Sequence, residues 1–383
     1  MRITYLTTVE LAEPTAPAHH VRWRCAAIAD MGHEVTMVHA RPGLPAEEAA
    51  HFHRDIAVWH PNIRGGSHVY RRGLFRALRE AGRGAADVVY MRCVLDPALT
   101  RVISALPIPV VGELHGLELC GTPEFRQYVE ALDLLLVPSD ELRAICLDAS
   151  GVPEDRVAVQ AGPGVDALRF APQDRDAARR KLNWPGGPFT MLFMSGYQDH
   201  HDFETLFEAV RRLRAARVEP LLMMLGSGPN QSGAERLAAD LVEAGAVRFI
   251  DAAPSAEVPT YIAAADACLN VTKRRFLGDG NLRGFKILEY SACARPVIAS
   301  ANRSLPIPSW ADRSLSLINP DSPDDLAAAA RDIMDHREAW RRRAAEARAY
   351  VENNASWPAV ARTTVAHLER IVHPGRQKLI VAR

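Results

Sequence analysis

Short apolar runs alternate with longer amphipathic segments along almost the whole chain, and few architectures satisfy that pattern. An apolar run without in/out alternation is buried on both faces, as in a parallel sheet covered by crossover helices. In the first half such runs lie near residues 3–7, 34–39, 56–59, 88–91, 110–113, 134–137 and 157–160, with helical stretches such as 21–31 and 71–81 between them. A second set follows a Pro/Gly-rich passage, near residues 189–195, 221–225, 247–250, 267–270, 296–299 and 315–318. Its helices include 203–214, 233–244 and 258–264. The reading is an α/β chain with two Rossmann-like doubly wound domains and a linker near residues 162–172. A length of 383 residues suits two such domains. Residues 323–336, 337–353 and 357–372 read as closing helices, and 373–383 as a basic tail.

Hydrophobic residues make up 48% and charged residues 24%, the balance of an ordinary globular protein. A formal net charge of zero argues against a broad electrostatic grip on nucleic acid. Cys25, Cys93, Cys120, Cys146, Cys268 and Cys293 are widely spaced, without zinc or CxxC spacing, and read as buried small side chains in a reducing compartment. The strand-like start and the lack of any apolar run of about 18 residues point to a cytoplasmic protein. The basic amphipathic segment 71–83 could touch an anionic membrane, but a solvated face over a core stripe is the favoured reading.

The richest chemistry lies in GFKILEYSACARPVIA, residues 284–299. Gly284 and Phe285 open a helix, and a helix N-terminus offers unpaired N–H groups and a positive dipole end to an anion. Lys286 and Glu289, three apart, are neighbours on its face. A phosphate at the helix start and a hydroxyl-rich group under Glu289 fit this arrangement, so it reads as a nucleotide-sugar site. GSGP, residues 226–229, lacks the Lys-Ser/Thr of a phosphate loop, and no GxGxxG opens a helix.

With those residues in view, the chain resembles glycosyltransferase family 4, of the GT-B fold. GHEVTMVH (32–39), the passage 137–172 ending in GVDALRFAP, LLMMLGSGP (221–229), VRFIDAAPSAEVPTYIAAADACLN (247–270) and SWPAVA (356–361) follow the family in order and spacing. The resemblance implies two domains facing a central cleft. Residues 1–165 would form the acceptor side, with a helix of about 356–383 packing back on it, and 166–355 the nucleotide-sugar side. It implies transfer of a sugar, with retention, from a nucleoside diphosphate sugar to a hydroxyl acceptor, a small molecule or glycan. UDP is favoured over GDP as the base, and no metal or other cofactor is implied. The Ala/Arg/Pro-rich composition suggests bacterial natural-product work, for example on aminoglycosides, or envelope glycans as the setting. A non-catalytic sugar-nucleotide binder and an epimerase or hydrolase are the alternatives.

The family's paired glutamates, with seven residues between them, fall here on Asn281 and Glu289. Glu289 then accepts ribose hydroxyls, and Asn281, or Asp279 in its stead, meets the donor sugar. The family's Arg and Lys after the first strand of this domain are absent from SGYQDHHDFE, residues 195–204. Gly196 permits close backbone approach there, and His200 or His201 could carry part of the charge. Lys286 first and Arg283 second are expected to neutralise the diphosphate, with Lys273, Arg274 and Arg275 nearby in sequence. Backbone around Phe249 would read the base. His115 resembles the family histidine that faces the donor sugar. Arg92, and His19 or His20 behind a proline-rich loop with few N–H donors, are candidate acceptor contacts.

Overall fold

Every strand pairing among the described residues is parallel. The computed structural model describes the chain apart from residues 13–14, 41–43, 45, 60–65, 117–118, 161, 278–283, 302–307 and 374–383, and apart from the side chains of 16, 40, 57–59 and 66–71. Two compact units result, Met1–Gly164 with Trp357–Arg383, and Val165–Ser356.

The first unit holds β1 (Arg2–Glu10), β2 (Glu34–Ala40), β3 (Arg54–Trp59), β4 (Val88–Arg92), β5 (Val110–Glu113), β6 (Leu134–Val137) and β7 (Val157–Val159). They form a 7-stranded sheet in the order β3-β2-β1-β4-β5-β6-β7. The unbroken apolar run of β6, LLLV, is buried along its whole length, as is β5, VVGE, as strands covered on both faces must be. Thr15 caps the helix Ala16–Asp30 by accepting the Ala18 N–H. The closing helix Trp357–Val372 packs against it.

The second unit holds β8 (Phe189–Met194), β9 (Pro220–Leu225), β10 (Val247–Ile250), β11 (Ala267–Asn270), β12 (Val297–Ser300) and β13 (Ser316–Ile318). Their order is β10-β9-β8-β11-β12-β13. Along β8, Leu192 and Met194 join one core cluster while Met191 and Phe193 join another. The period of two thus divides one apolar strand between two cores. Asp202 caps the helix Phe203–Ala215 by accepting the Thr205 N–H at 3.0 Å.

The helix expected over residues 233–244 is in fact two, Gln231–Leu237 and Ala239–Glu243, broken at Ala238 (φ −101°, ψ 7°). The helix expected over 337–353 ends at Tyr350 and widens into a five-residue turn, Val351–Ala355. All six cysteines are free, and Cys120 Sγ lies 3.7 Å from Cys146 Sγ in the first core. Among the described residues no helix is long and apolar enough to cross a membrane.

Candidate functional site

The second sheet reverses its winding between β8 and β11. The chain leaves β8 toward β9 and β10, then returns to β11 on the other side. Ligands of open parallel sheets bind at the carboxyl ends of the strands at such a reversal. There the loop after β8 is tied down by its own polar groups. Ser195 Oγ accepts the Tyr197 N–H at 2.7 Å and lies 2.9 Å from His201 Nδ1. His201 in turn bridges to Thr272, just beyond β11.

The helix Phe285–Ala292 packs over this corner because Ile287, Leu288, Tyr290 and Ala292 bury one face. Tyr290 Oη accepts the N–H of Met194, the last residue of β8, at 3.1 Å. Gly284 begins the helix in an extended conformation and, as a glycine, supplies no side-chain cap; the positive end of the helix dipole there suits an anion. Half-buried Lys286 reaches back to the strand end. Its Nζ donates to Met194 O at 3.0 Å, lies 2.9 Å from His201 Nε2 and stands 5.4 Å above the Phe193 ring. Burial, partly offset by Glu289, brings the Lys286 amine down to about 8. Burial likewise raises the Glu289 carboxyl to about 7, against the pull of Arg169 and Lys286. The carboxyl group of Glu289 makes no hydrogen bond or ion pair among the described residues, while the residue's backbone carbonyl accepts the Cys293 N–H at 3.1 Å. A desolvated acid whose carboxyl has no partner among the described residues, one turn from an amine at a strand-end crevice, is the arrangement of a ligand site.

Other expected contributors fall differently. Gly196 is exposed in the loop after β8, where its carbonyl accepts Gln198 Nε2 at 3.1 Å. Phe249 lies on β10 among Tyr197 and Phe207, centroids 6.5 and 6.4 Å away, with its ring against the core. His201 is not a cation: burial first, then Lys286 and His200, push it down to about 2. Burial and Lys286 also lower His200. Arg274 is paired with Asp321, and Arg275 lies over Phe276. With Lys273 they line a separate groove of about 700 Å³ shared with Asp202, Glu204 and Glu208. Asp279, Asn281 and Arg283 lie outside the described residues. The glycines of GSGP serve packing. A Cβ on Gly226 would sit 2.0 Å from Ser195 O, and one on Gly228 1.9 Å from Gly196 O.

The first unit carries a second polar cluster, at the carboxyl end of β5. Buried Glu113 accepts Tyr5 Oη at 2.5 Å, Arg24 Nη1 at 2.5 Å, and Tyr90 Oη. Burial would raise this carboxyl, but Arg24 and then His115 hold it well below the usual range. With its amide carbonyl turned to Arg24, Gln160 accepts from Nη1 at 2.6 Å and from Thr364 Oγ1 at 2.8 Å. His115, 3.4 Å from Glu113, meets the His20 ring edge-on at 4.6 Å. Burial lowers both imidazoles, more strongly for His20, so both are neutral at pH 7. His20 and His115 thus come together. His19 turns aside, with Nδ1 3.4 Å from Arg22. Half-buried Arg92 ends β4, and its charge also lowers His115 and His20. His20, Glu113 and His115 bring metal-ligating atoms within 4.8 Å of one another, but the guanidinium of Arg24 on the same carboxylate opposes a second cation there.

Residues 18–167 match the family model described as Glycosyltransferase Family 4, and residues 188–336 the one described as Glycosyl transferases group 1. A D-inositol 3-phosphate glycosyltransferase of Nocardioides is 30% identical over 330 residues, covering 78% of this chain and 70% of that protein. D-inositol 3-phosphate glycosyltransferase 2 of Catenulispora acidiphila is 29% identical over 218 residues, 55% of this chain, and the match spans only 49% of that relative's length. Among solved structures, Anabaena HepE in complex with UDP superposes with a TM-score of 0.72 at 15% identity, over 96% of this chain and 100% of that one, a likeness of fold. With each unit matched and the Nocardioides relative aligned over most of both chains, the protein belongs to the group 1 glycosyltransferases, family 4.

Proposed function

We propose that the chain transfers a glycosyl group from a nucleoside diphosphate sugar to a hydroxyl acceptor, with retention at the anomeric carbon. The observation that carries this is the placement of Lys286 and a desolvated Glu289 on the first turns of a helix that starts at the strand-end reversal. In this reading the diphosphate docks on the N–H groups beyond Gly284, Lys286 offsets its charge and Glu289 accepts ribose hydroxyls. Asn281 meets the donor sugar, Arg283 assists at the phosphates, and His115 is taken as a further contact to the sugar. The bond from the anomeric carbon to the phosphate oxygen breaks, the acceptor oxygen bonds to that carbon, and the acceptor's proton passes to the leaving phosphate. No protein nucleophile is then needed. The metal-independent course and a cytoplasmic setting belong to the same proposal.

UDP is the first base to test, since the Anabaena neighbour was crystallised with it. The acceptor panel includes D-inositol 3-phosphate, after the names of the relatives, alongside aminocyclitols and envelope-glycan precursors. A thermal-shift screen of nucleoside diphosphates and their sugars selects the donor, and turnover is then followed by nucleotide release. Release that depends on the acceptor is expected. Donor consumed without acceptor would replace the proposal with an epimerase or hydrolase. Binding without turnover on the whole panel would replace it with a binding protein.

A further inference from the structure

Lys286 and His201 meet with one proton too many. His201 Nδ1 receives the backbone N–H of Gln198 at 3.2 Å, and a backbone N–H can only donate. Ser195 Oγ already accepts the Tyr197 N–H, so its hydroxyl proton is available to the same nitrogen, 2.9 Å away. With Nδ1 held as an acceptor, a neutral imidazole carries its proton on Nε2. That proton faces Lys286 Nζ at 2.9 Å. An ammonium has three donors and no acceptor. A neutral amine resolves the contact, accepting from Nε2–H while donating to Met194 O at 3.0 Å.

We propose that His201 favours the neutral amine of Lys286 in the ligand-free protein, and that under mildly alkaline conditions a diphosphate docking at the start of the helix Phe285–Ala292 draws a proton onto Lys286, coupling nucleotide binding to proton uptake. The inference rests on the donor-site reading above. The proton comes from solvent onto Nζ. The imidazole proton moves from Nε2 to Nδ1, where it is donated to Ser195 Oγ, and Nε2 accepts from the ammonium. The Gln198 N–H loses its acceptor in the exchange, and the anion compensates that loss. His201 is therefore a positioning residue acting through Lys286.

Among the described residues the charged surroundings are few. Glu289, from the same helix, favours the ammonium, while burial opposes it. His200 and Lys273 stand on the loops beside His201. Arg169 acts on Glu289. At the far end of the helix Arg348 donates to Ala292 O, and the Arg295 N–H bonds Tyr290 O. β8 presents the Phe193 ring and the Met194 carbonyl, both uncharged, to the amine.

Titration calorimetry of the full chain with UDP and GDP, in phosphate and in Tris, reads the protons taken up. Roughly half a proton per nucleotide is expected near pH 8, rising toward one at about pH 9 and vanishing at about pH 6.5, where Lys286 is already charged. Lys286→Arg, permanently charged, is expected to bind without uptake. On the free protein, acetic anhydride labelling of Lys286 read by mass spectrometry is expected to have its midpoint near 8, and His201→Ala to move it up by about 1–2 units. A wild-type midpoint in the ordinary lysine range, above about 10, overturns the proposal without any nucleotide. Binding with equal heats in both buffers overturns the coupling and leaves the donor site standing. Binding of neither UDP nor GDP overturns both.

Discussion

Glu113 Oε1 lies 3.4 Å from His115 Nε2, while the other oxygen of the same carboxylate takes Arg24 Nη1 at 2.5 Å. One buried acid therefore anchors a guanidinium and lies beside a histidine at the end of β5. Opposing burial, Arg24 and His115 depress this carboxyl. A depressed folded value contributes stability that is fully present above the unfolded value of about 4.3 and is lost as pH falls through the folded one. Glu113→Gln leaves Arg24 buried without its counter-charge, and one-sided loss of a buried pair costs about 3–5 kcal/mol. Urea unfolding near pH 7 is expected to show that deficit, and the deficit is expected to narrow below about pH 4. A deficit that stays constant on acidification would show that the carboxylate charge is not what Arg24 needs.

His115 is held neutral by burial and its Nε2 has no hydrogen-bond partner among the described residues, so it suits contact with a sugar hydroxyl. His115→Ala is expected to lower kcat by about tenfold or more, equivalent to ~1.4 kcal/mol, and to change nucleotide affinity by less than about twofold. Parallel steady-state kinetics and nucleotide titration read the two effects. The reverse pattern would remove His115 from the sugar pocket.

Glu289 gives a prediction of opposite sign in binding and in stability. Its raised folded value means that the folded chain holds a proton the unfolded chain releases, so ionising it costs stability as pH rises from about 4.3 toward 7. Without nucleotide, Glu289→Gln is expected to raise Tm above about pH 7 and leave it unchanged near pH 4. Glu289→Ala is expected to weaken donor binding by about 1–3 kcal/mol, the scale of hydrogen bonds to a charged group. Donor affinity unchanged in a folded variant would take Glu289 out of the site.

In the proposed site the diphosphate charge is met by helix N–H groups and Lys286 rather than by an ion. Turnover after exhaustive treatment with EDTA is expected to match that of untreated protein within about twofold. Activity that collapses on chelation and returns with Mg²⁺ or Mn²⁺ would put a metal into the reaction.

The two sheets were legible because unbroken apolar runs such as FTMLFM in β8 can only be buried on both faces. Lys286 and Glu289 were legible together because helical spacing alone makes them neighbours. Contacts made through folding were not. His201 reads as a candidate cation beside Asp199 and Asp202, and only the approach of a residue 85 positions away shows it to be a neutral partner of Lys286. The role of Glu113 is equally hidden, since Tyr5, Arg24 and Tyr90 reach it from three separate elements. GSGP resembles a phosphate loop in sequence, yet its glycines answer to the Ser195 and Gly196 carbonyls pressed against them. The break at Ala238 has no glycine or proline to announce it.

Gly164 and Trp357 test the packing of the closing helix. A Cβ built on Gly164 would lie 2.5 Å from Trp357 Cε3 and 3.1 Å from its Cα, and Trp357 is itself buried. The ring cannot retreat freely, because it also stands 5.9 Å from His20, beneath the His115 contact. Gly164→Ala is therefore expected to overpack the first unit and destabilise it by about 1–3 kcal/mol in urea unfolding. Pairing it with Trp357→Leu, which removes the obstructing ring, is expected to be less costly than the sum of the two single changes by about 0.5–3 kcal/mol, the range for residues in contact. Strict additivity would show that the glycine is there for some reason other than the indole.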